Sequence, residues 1–387
     1  MKIGILINEL APGSAPKVIG QTFKELQKLG HQCQALALID NSLQEEFPDI
    51  YSFHLNSIKM RYIFGKRPRW DFKFPGFSFF SLHHILSFFV APFLIKNREY
   101  DIIIANGQFA TFAAWGLKLF RGIPYIFYAH ADPCTYTLKK TYCKTWLKVI
   151  YPLILIFAWL VDKLAVSGAQ VSIASGRLHQ ERFRELTKKP FVILRLGCFS
   201  KEDFLPFSQR QKAVLTFDRW DIGNKPHIFL HLLENIDRDI KLKIGGFWHP
   251  KNLEAEFLKE VRDRGLKDRV HLLGPLNERM IMDLCFRIML HVHPNQEAFG
   301  MQTLEAAACG CCIIVPRGSG VADLFEHSRQ GYFFEENNQQ ELIKYVKMVF
   351  SDLDKAEAMG REAWKVARNY SWHNYAKDLE VIIKRYI

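Results

Sequence analysis

The stretch that most restricts what this chain can become is residues 288–316. Ile288-Met289-Leu290-His291-Val292 reads as a short buried strand, and Met301 to Cys309 as a helix of strong helix formers stopped at Gly310. His293-Pro294-Asn295-Gln296-Glu297-Ala298-Phe299-Gly300 joins them as a tight loop, and Cys311 to Pro316 returns as a strand. A helix beginning near Gly300 leaves its first amide N–H groups unpaired over the strand ends, at the positive end of the helix dipole, which is a place for a phosphate. Glu297 lies just before that helix start and Glu305 about two turns inside it. Carboxylates are poor anion ligands but good acceptors for hydroxyl groups. The implied ligand therefore has a diphosphate in the middle and a sugar at each end. The alternative is a plain strand–helix pair with two solvated acids.

Glu297-x7-Glu305, with Phe299-Gly300 after the first acid and Leu304-Glu305-Ala306 around the second, resembles the E-x7-E signature of the retaining GT-B glycosyltransferases of family 4. The resemblance implies an α/β fold of two Rossmann-like, doubly wound domains facing a central cleft. On it, residues 1–205 form an acceptor-side domain, 206–370 a nucleotide-sugar domain, and 371–387 a C-terminal helix packing back on the first. It is strongest over 213–335 and weakest over 40–100.

The first half of the chain has its own grounds for the same architecture. Lys2 to Ile7 is a strand, Asn8 to Pro16 a Gly/Pro loop, and Phe23, Leu26 and Leu29 mark an amphipathic helix ending at Gly30-His31 before a strand at Cys33 to Ile39. This opens a doubly wound sheet, and G-x-G-x-x-G is absent, so it is not a dinucleotide fingerprint. Asp101 to Asn106 is a buried parallel strand, and Tyr125 to Ala129 another, with His130 at its carboxyl end, where open α/β sheets place ligands. Ser200 to Lys212 reads as a linker.

The resemblance assigns roles to these positions. Gly13 lies under the reacting end of the donor, although Ser14 stands where a second glycine is common. His130 faces the donor sugar. Arg219 and Lys225 grip the donor diphosphate, with Pro226 replacing a usual glycine. Gly274 lies near the nucleotide base. Phe299, Gly300 and Met301 meet the phosphate at the helix start, Glu305 takes the ribose hydroxyls, and Glu297 the hydroxyls of the transferred sugar. The implied substrate is a nucleotide-diphosphate sugar of hexose type, with no further cofactor and no metal, since cations and helix amides supply the positive charge. A noncatalytic sugar-nucleotide binder and a GT-B epimerase are the competing readings.

Charge and composition narrow the partners. The net charge of +12 lies wholly in residues 1–200, with 25 Lys/Arg against 13 Asp/Glu, while 201–387 balance at 27 each. Residues 59–98 interleave cations with aromatic rings (Lys66, Arg67, Arg69, Trp70, Phe77, Phe79, Phe80, Phe88, Phe89), a pattern suited to an anionic membrane surface and a lipid-linked or glycan acceptor. A core helix behind a basic loop is the alternative, and no nucleic-acid-binding organisation accompanies the pattern. The chain opens directly on a strand, and its longest apolar runs, Ile85 to Ile95 and Val149 to Val161, are 11 and 13 residues, below the ~20 that span a bilayer. The expectation is a cytoplasmic protein, peripheral on the inner face of the cell membrane. Eight scattered cysteines give no disulfide framework, and Cys309-Gly310-Cys311-Cys312 lies at a helix end, the wrong place for a redox pair.

Overall fold

The computed structural model describes residues 1–9, 14–40, 58–66, 71, 73–74, 77–96, 98–130, 132–141, 151–221, 223–224, 226–249 and 252–387. Gly13, Lys225, Arg67, Arg69 and Trp70 lie outside the described residues, as do the side chains of Phe77 and Phe79. The chain divides into two compact units, Met1–Arg195 with Trp372–Ile387, and Leu196–Ser371.

In the first unit a parallel sheet runs in the order β3 (Met60–Tyr62), β2 (Gln32–Ile39), β1 (Lys2–Glu9), β6 (Ile102–Asn106), β7 (Tyr125–Ala129), β8 (Ser172–Ala174), β9 (Phe191–Ile193). β4 (Lys73–Phe74) and β5 (Phe77–Ser81) form a separate antiparallel pair. Strands covered on both faces need apolar side chains on both, so β6 and β7 are buried throughout. The chain runs left from β1 to β2 through α1 (Ser14–Lys28). It runs right through α2 (Leu82–Leu94), α3 (Thr111–Arg121), α4 (Cys134–Thr141), α5 (Tyr151–Gly168) and α6 (Arg177–Arg184). Right-handed crossovers therefore put α2, α3 and α5 on one face and α1 on the other. Gly116 sets the α2–α3 distance, because a Cβ there would stand 2.0 Å from the Phe88 carbonyl oxygen.

The second unit repeats the plan with β12 (Val270–Gly274), β11 (Lys241–Trp248), β10 (Gln211–Trp220), β13 (Ile288–Val292), β14 (Cys312–Pro316) and β15 (Tyr332–Phe334), all parallel. α7 (Ile228–Glu234), α8 (Asn252–Asp263), α9 (Glu278–Arg287), α10 (Met301–Ala308), α11 (Gln339–Ser351) and α12 (Leu353–Ala367) cover it. α13 (Trp372–Tyr386) belongs to the first unit, where the Tyr375 hydroxyl meets Thr22 Oγ1 at 3.0 Å and His31 Nε2 meets Glu380 at 3.0 Å.

Two features differ from the sequence reading. The second unit begins at Leu196 rather than at 206. The polar stretch is bound to it: Lys201 N–H donates to Ala308 O, and the buried Arg210 guanidinium donates to the carbonyls of Leu205, Cys285, Ile288 and Cys309. α5 runs 18 residues, long and apolar enough to cross a membrane by length and composition, where a run of 13 ending before Asp162 was expected. Asp162 continues the helix because it faces inward, accepting from the amides of Cys134 (2.9 Å) and Thr135 (3.0 Å) at the start of α4.

Candidate functional site

The site of the second unit grows from neighbouring strands. β10 pairs with β13 through Leu215↔His291, so Asp218-Arg219, near the carboxyl end of β10, and His293, one residue past β13, arrive side by side at the carboxyl edge of the sheet. The loop after His293 turns at Gly300, which has φ +101° and starts α10. A Cβ there would lie 2.8 Å from Val321 Cγ1, so both the backbone angle and the space call for glycine. A second loop cradles this turn. Glu297 N–H donates to Ser319 Oγ (3.2 Å), Gly320 N–H to Glu297 O (3.2 Å) and Val321 N–H to Phe299 O (2.5 Å).

Glu297 is the focus of the charge. His293 is buried, and its Nδ1–H must donate to Asn295 O (2.9 Å), since a carbonyl only accepts. Nε2 then faces Asp218 Oδ2 at 3.3 Å and Glu297 Oε2 at 3.6 Å. Burial opposes a charge on His293, but Glu297 and Asp218 outweigh it and hold its pKa up at about 9. Burial also pushes the Glu297 carboxyl up to about 7, with the His293 charge opposing and Asp218 adding. With the Gln302 amide assigned so that nitrogen faces the carboxylate, it donates to Glu297 Oε1 and Oε2 at 3.2 Å each. The Glu297 side chain keeps 28% of its exposure, which leaves it open to a ligand. The result is a carboxylate held from behind and presented forward, suited to receiving hydroxyl hydrogen bonds.

The other assigned residues are placed as follows. Arg219 follows Asp218, half-exposed, with its guanidinium 3.2 Å from Asp221, which also caps the amides of Gly223 and Asn224. Glu305 and Met301 are buried in α10 and Phe299 is buried in the turn before it, so Phe299 and Met301 can offer a ligand only their backbone groups. Gly274 ends β12 at φ +66° with nothing within 4 Å of where a Cβ would stand. The Cys309, Cys311 and Cys312 side chains are all fully buried, and burial pushes Cys312 up to about 12. Among the described residues no group of three His, Cys, Asp or Glu is arranged to hold a metal ion.

His130 lies in the first unit, one residue past β7, its ring stacked on Tyr128 at 4.3 Å. Asn106 Nδ2 donates to the carbonyls of Leu6 and Ile104, so Asn106 Oδ1 must accept from His130 Nε2–H, at 2.7 Å. That bond fixes the tautomer and makes Nδ1 the lone-pair atom. Burial, with His179 adding, lowers the ring to about 4, so it is neutral at physiological pH.

Residues 202–366 match the family described as Glycosyl transferases group 1. The second unit carries a group 1 glycosyltransferase domain. Arg219, Gly274, Glu297, Gly300 and Glu305 fall within the glycosyltransferase domain, and Gly13 and His130 outside it. The gpi3 subunit of phosphatidylinositol N-acetylglucosaminyltransferase from Schizosaccharomyces pombe is 30% identical over 139 residues, 34% of this chain and 29% of that protein. D-inositol 3-phosphate glycosyltransferase from Corynebacterium urealyticum is 28% identical over 166 residues, 40% of this chain and 38% of that protein. The similarity thus spans about a third of each relative's length. The crystal structure of Anabaena Alr3699/HepE in complex with UDP and glucose superposes with a TM-score of 0.76 at 18% identity, covering 100% of both chains. That likeness is one of fold: two Rossmann-like parallel-sheet units, as in GT-B glycosyltransferases.

Asp218, His293, Gln302, Asn106 and Ser319 were not singled out from sequence. A signal existed for His293, which occupies the same place after β13 that His130 occupies after β7.

Proposed function

We propose that this chain is a retaining, metal-independent hexosyltransferase of family 4. It moves a hexose-type sugar from a nucleotide diphosphate to a glycan or lipid-linked acceptor at the cytoplasmic membrane surface. The observation that carries this reading is Glu297, held by His293 and Gln302 on the turn that opens α10, beside Arg219 on the adjacent strand end.

As the sugar–phosphate bond breaks, its electron pair stays on the departing diphosphate oxygen. Arg219, Lys225 and the α10 amides stabilise that charge. An acceptor hydroxyl attacks from the same face and passes its proton to the departing oxygen, which preserves the anomeric configuration. Ionised Glu297 accepts from hydroxyls of the transferred sugar, and Glu305 from the ribose.

The test is a screen of the full chain against UDP, GDP and ADP sugars by thermal unfolding, with UDP sugars first because UDP occupies the HepE structure. A donor at about 100 times its Kd adds ~2.7 kcal/mol. NMR of the product from that donor then reads the anomer. Stabilisation by none of the donors removes the reading. An inverted product removes retention alone, and an altered sugar nucleotide formed without acceptor makes the protein an epimerase.

A further inference from the structure

Helix α5 is apolar on both sides. Ile154, Ala158, Val161 and Ala165 form the inner stripe and are buried. Leu153, Ile156, Leu160 and Leu164, at helical spacing on the opposite side, are exposed, Leu153 by 67% and Ile156 by 56%. Only 28% of this helix is buried. α2 and α3 lie on the same face of the sheet and continue the pattern. Phe93 is 83% exposed, Leu119 63% and Phe120 54%. Phe120 of α3 and Phe89 of α2 both contact the Phe88 ring, at 5.6 and 4.9 Å, so the outer surfaces of these two helices are continuous.

The ends of the three helices are tied together by cations. Arg121 Nε donates to Pro92 O of α2, and Lys118 Nζ to Gly168 O of α5, both at 2.6 Å. Lys163 stands over the exposed Trp159 ring at 4.4 Å, its ammonium beside the apolar stripe. Across the three helices the one carboxylate is Asp162, and it is turned inward onto α4. Among the described residues, these three helices therefore offer aliphatic and aromatic side chains with positive charges and no exposed acid of their own, and Glu99, just past α2, is paired with Arg61.

We propose that the outer face of α2, α3 and α5 is an anionic-phospholipid docking surface, with α5 lying in the headgroup boundary rather than crossing the bilayer. A protein partner matched to this face would need an apolar patch rimmed by acids, whereas an anionic bilayer meets both features at once: acyl chains for the outward Leu, Ile and Phe side chains, phosphates for Lys118, Arg121 and Lys163. The inner stripe and the Asp162 cap keep α5 in the fold, so spanning would cost both. The inference deepens the membrane-surface acceptor reading: of the 59–98 stretch it keeps α2, adds α3 and α5, and leaves out the basic segment around Lys66.

The experiment is flotation of the full chain with vesicles of phosphatidylglycerol and phosphatidylcholine, against pure phosphatidylcholine. The expected result is flotation with the anionic vesicles, lost at least tenfold in Leu153→Ser/Ile156→Ser and in Phe93→Ser/Phe120→Ser. Lys163→Ser and Arg121→Gln should each weaken it about fivefold. Lys66→Ser should leave it unchanged. Outward polar substitutions leave the core intact, and an unchanged melting temperature checks this. A blue shift of emission on adding anionic vesicles, absent in Trp159→Phe, is the second readout. Wild-type protein that does not float, or apolar variants that float equally, overturns the proposal. So does a dimer in sedimentation that the apolar variants dissolve, which would give the surface to a second copy. Donor stabilisation measured without vesicles should be unaffected by these variants. Its failure with flotation intact would sink the transferase reading and leave this surface standing.

Discussion

Replacing His293 by Gln should move the pH dependence of transfer toward alkali. In the native site a buried imidazolium stands 3.6 Å from Glu297 Oε2. At that separation Coulomb attraction is roughly 1 to 5 kcal/mol for effective dielectric constants between water and ~20. At 1.36 kcal/mol per unit, removing the charge raises the Glu297 pKa by about one to three units. Glu297 starts at about 7, so wild-type kcat/KM for donor should rise with pH through that value as the carboxylate forms. In His293→Gln the rising limb should lie near pH 8 or above, with the plateau less affected than the midpoint. Asp218→Asn supplies the opposite sign, because Asp218 is the like charge that raises Glu297, and its limb should move toward acid. The assay is initial-rate donor kinetics between pH 5.5 and 9.5 (roughly the span of these shifts), with melting temperatures at each pH to exclude unfolding. A limb that stays in place in His293→Gln, or shifts of the same sign in both variants, would refute the claim that this imidazolium sets the charge of Glu297.

Three further outcomes are expected. Glu297→Gln should bind donor within a few-fold of wild type yet lose roughly a hundredfold or more in kcat, since the lost contact is one that strengthens in the transition state. Isothermal titration and rate measurement separate the two. Gly300→Ala should destabilise the second unit by about 1–3 kcal/mol, because φ +101° is strained for alanine and its Cβ meets Val321. Urea unfolding reads the loss, and donor stabilisation should fall with it. For His130 the folded pKa, about 4, is below the ordinary 6.5, so its contribution to stability is complete above pH 6.5 and is lost as pH falls toward 4. His130→Gln, which keeps a donor toward Asn106, should flatten that part of the pH–melting curve.

Much of the site was legible because its signals are local. Gly300 and Gly310 punctuate α10 through backbone angles that only glycine adopts cheaply, φ +101° and +84°, and the boundaries follow within a residue. Glu297 could be picked out for the same reason, since it stands only three residues before Gly300, where the helix starts. Asp218 is 75 residues from His293, and nothing in the string pairs them. The run ending at Val161 shows the same limit in reverse, since a charge at 162 reads as a helix boundary until it is known where that charge points.

By itself the amino-acid sequence determined the alternation of strand, turn and helix and the acids flanking one helix start, since each follows from periodicity and backbone sterics within a few residues, while the two-domain architecture was implied by the family resemblance that those motifs carry. Tertiary structure alone decided that β10 lies beside β13 and so places a buried imidazolium between Asp218 and Glu297. It also decided that Asp162 faces inward while Leu153 and Ile156 face out. Charge state and exposure depend on which distant segments become neighbours, and that is settled by packing rather than by local chain preference.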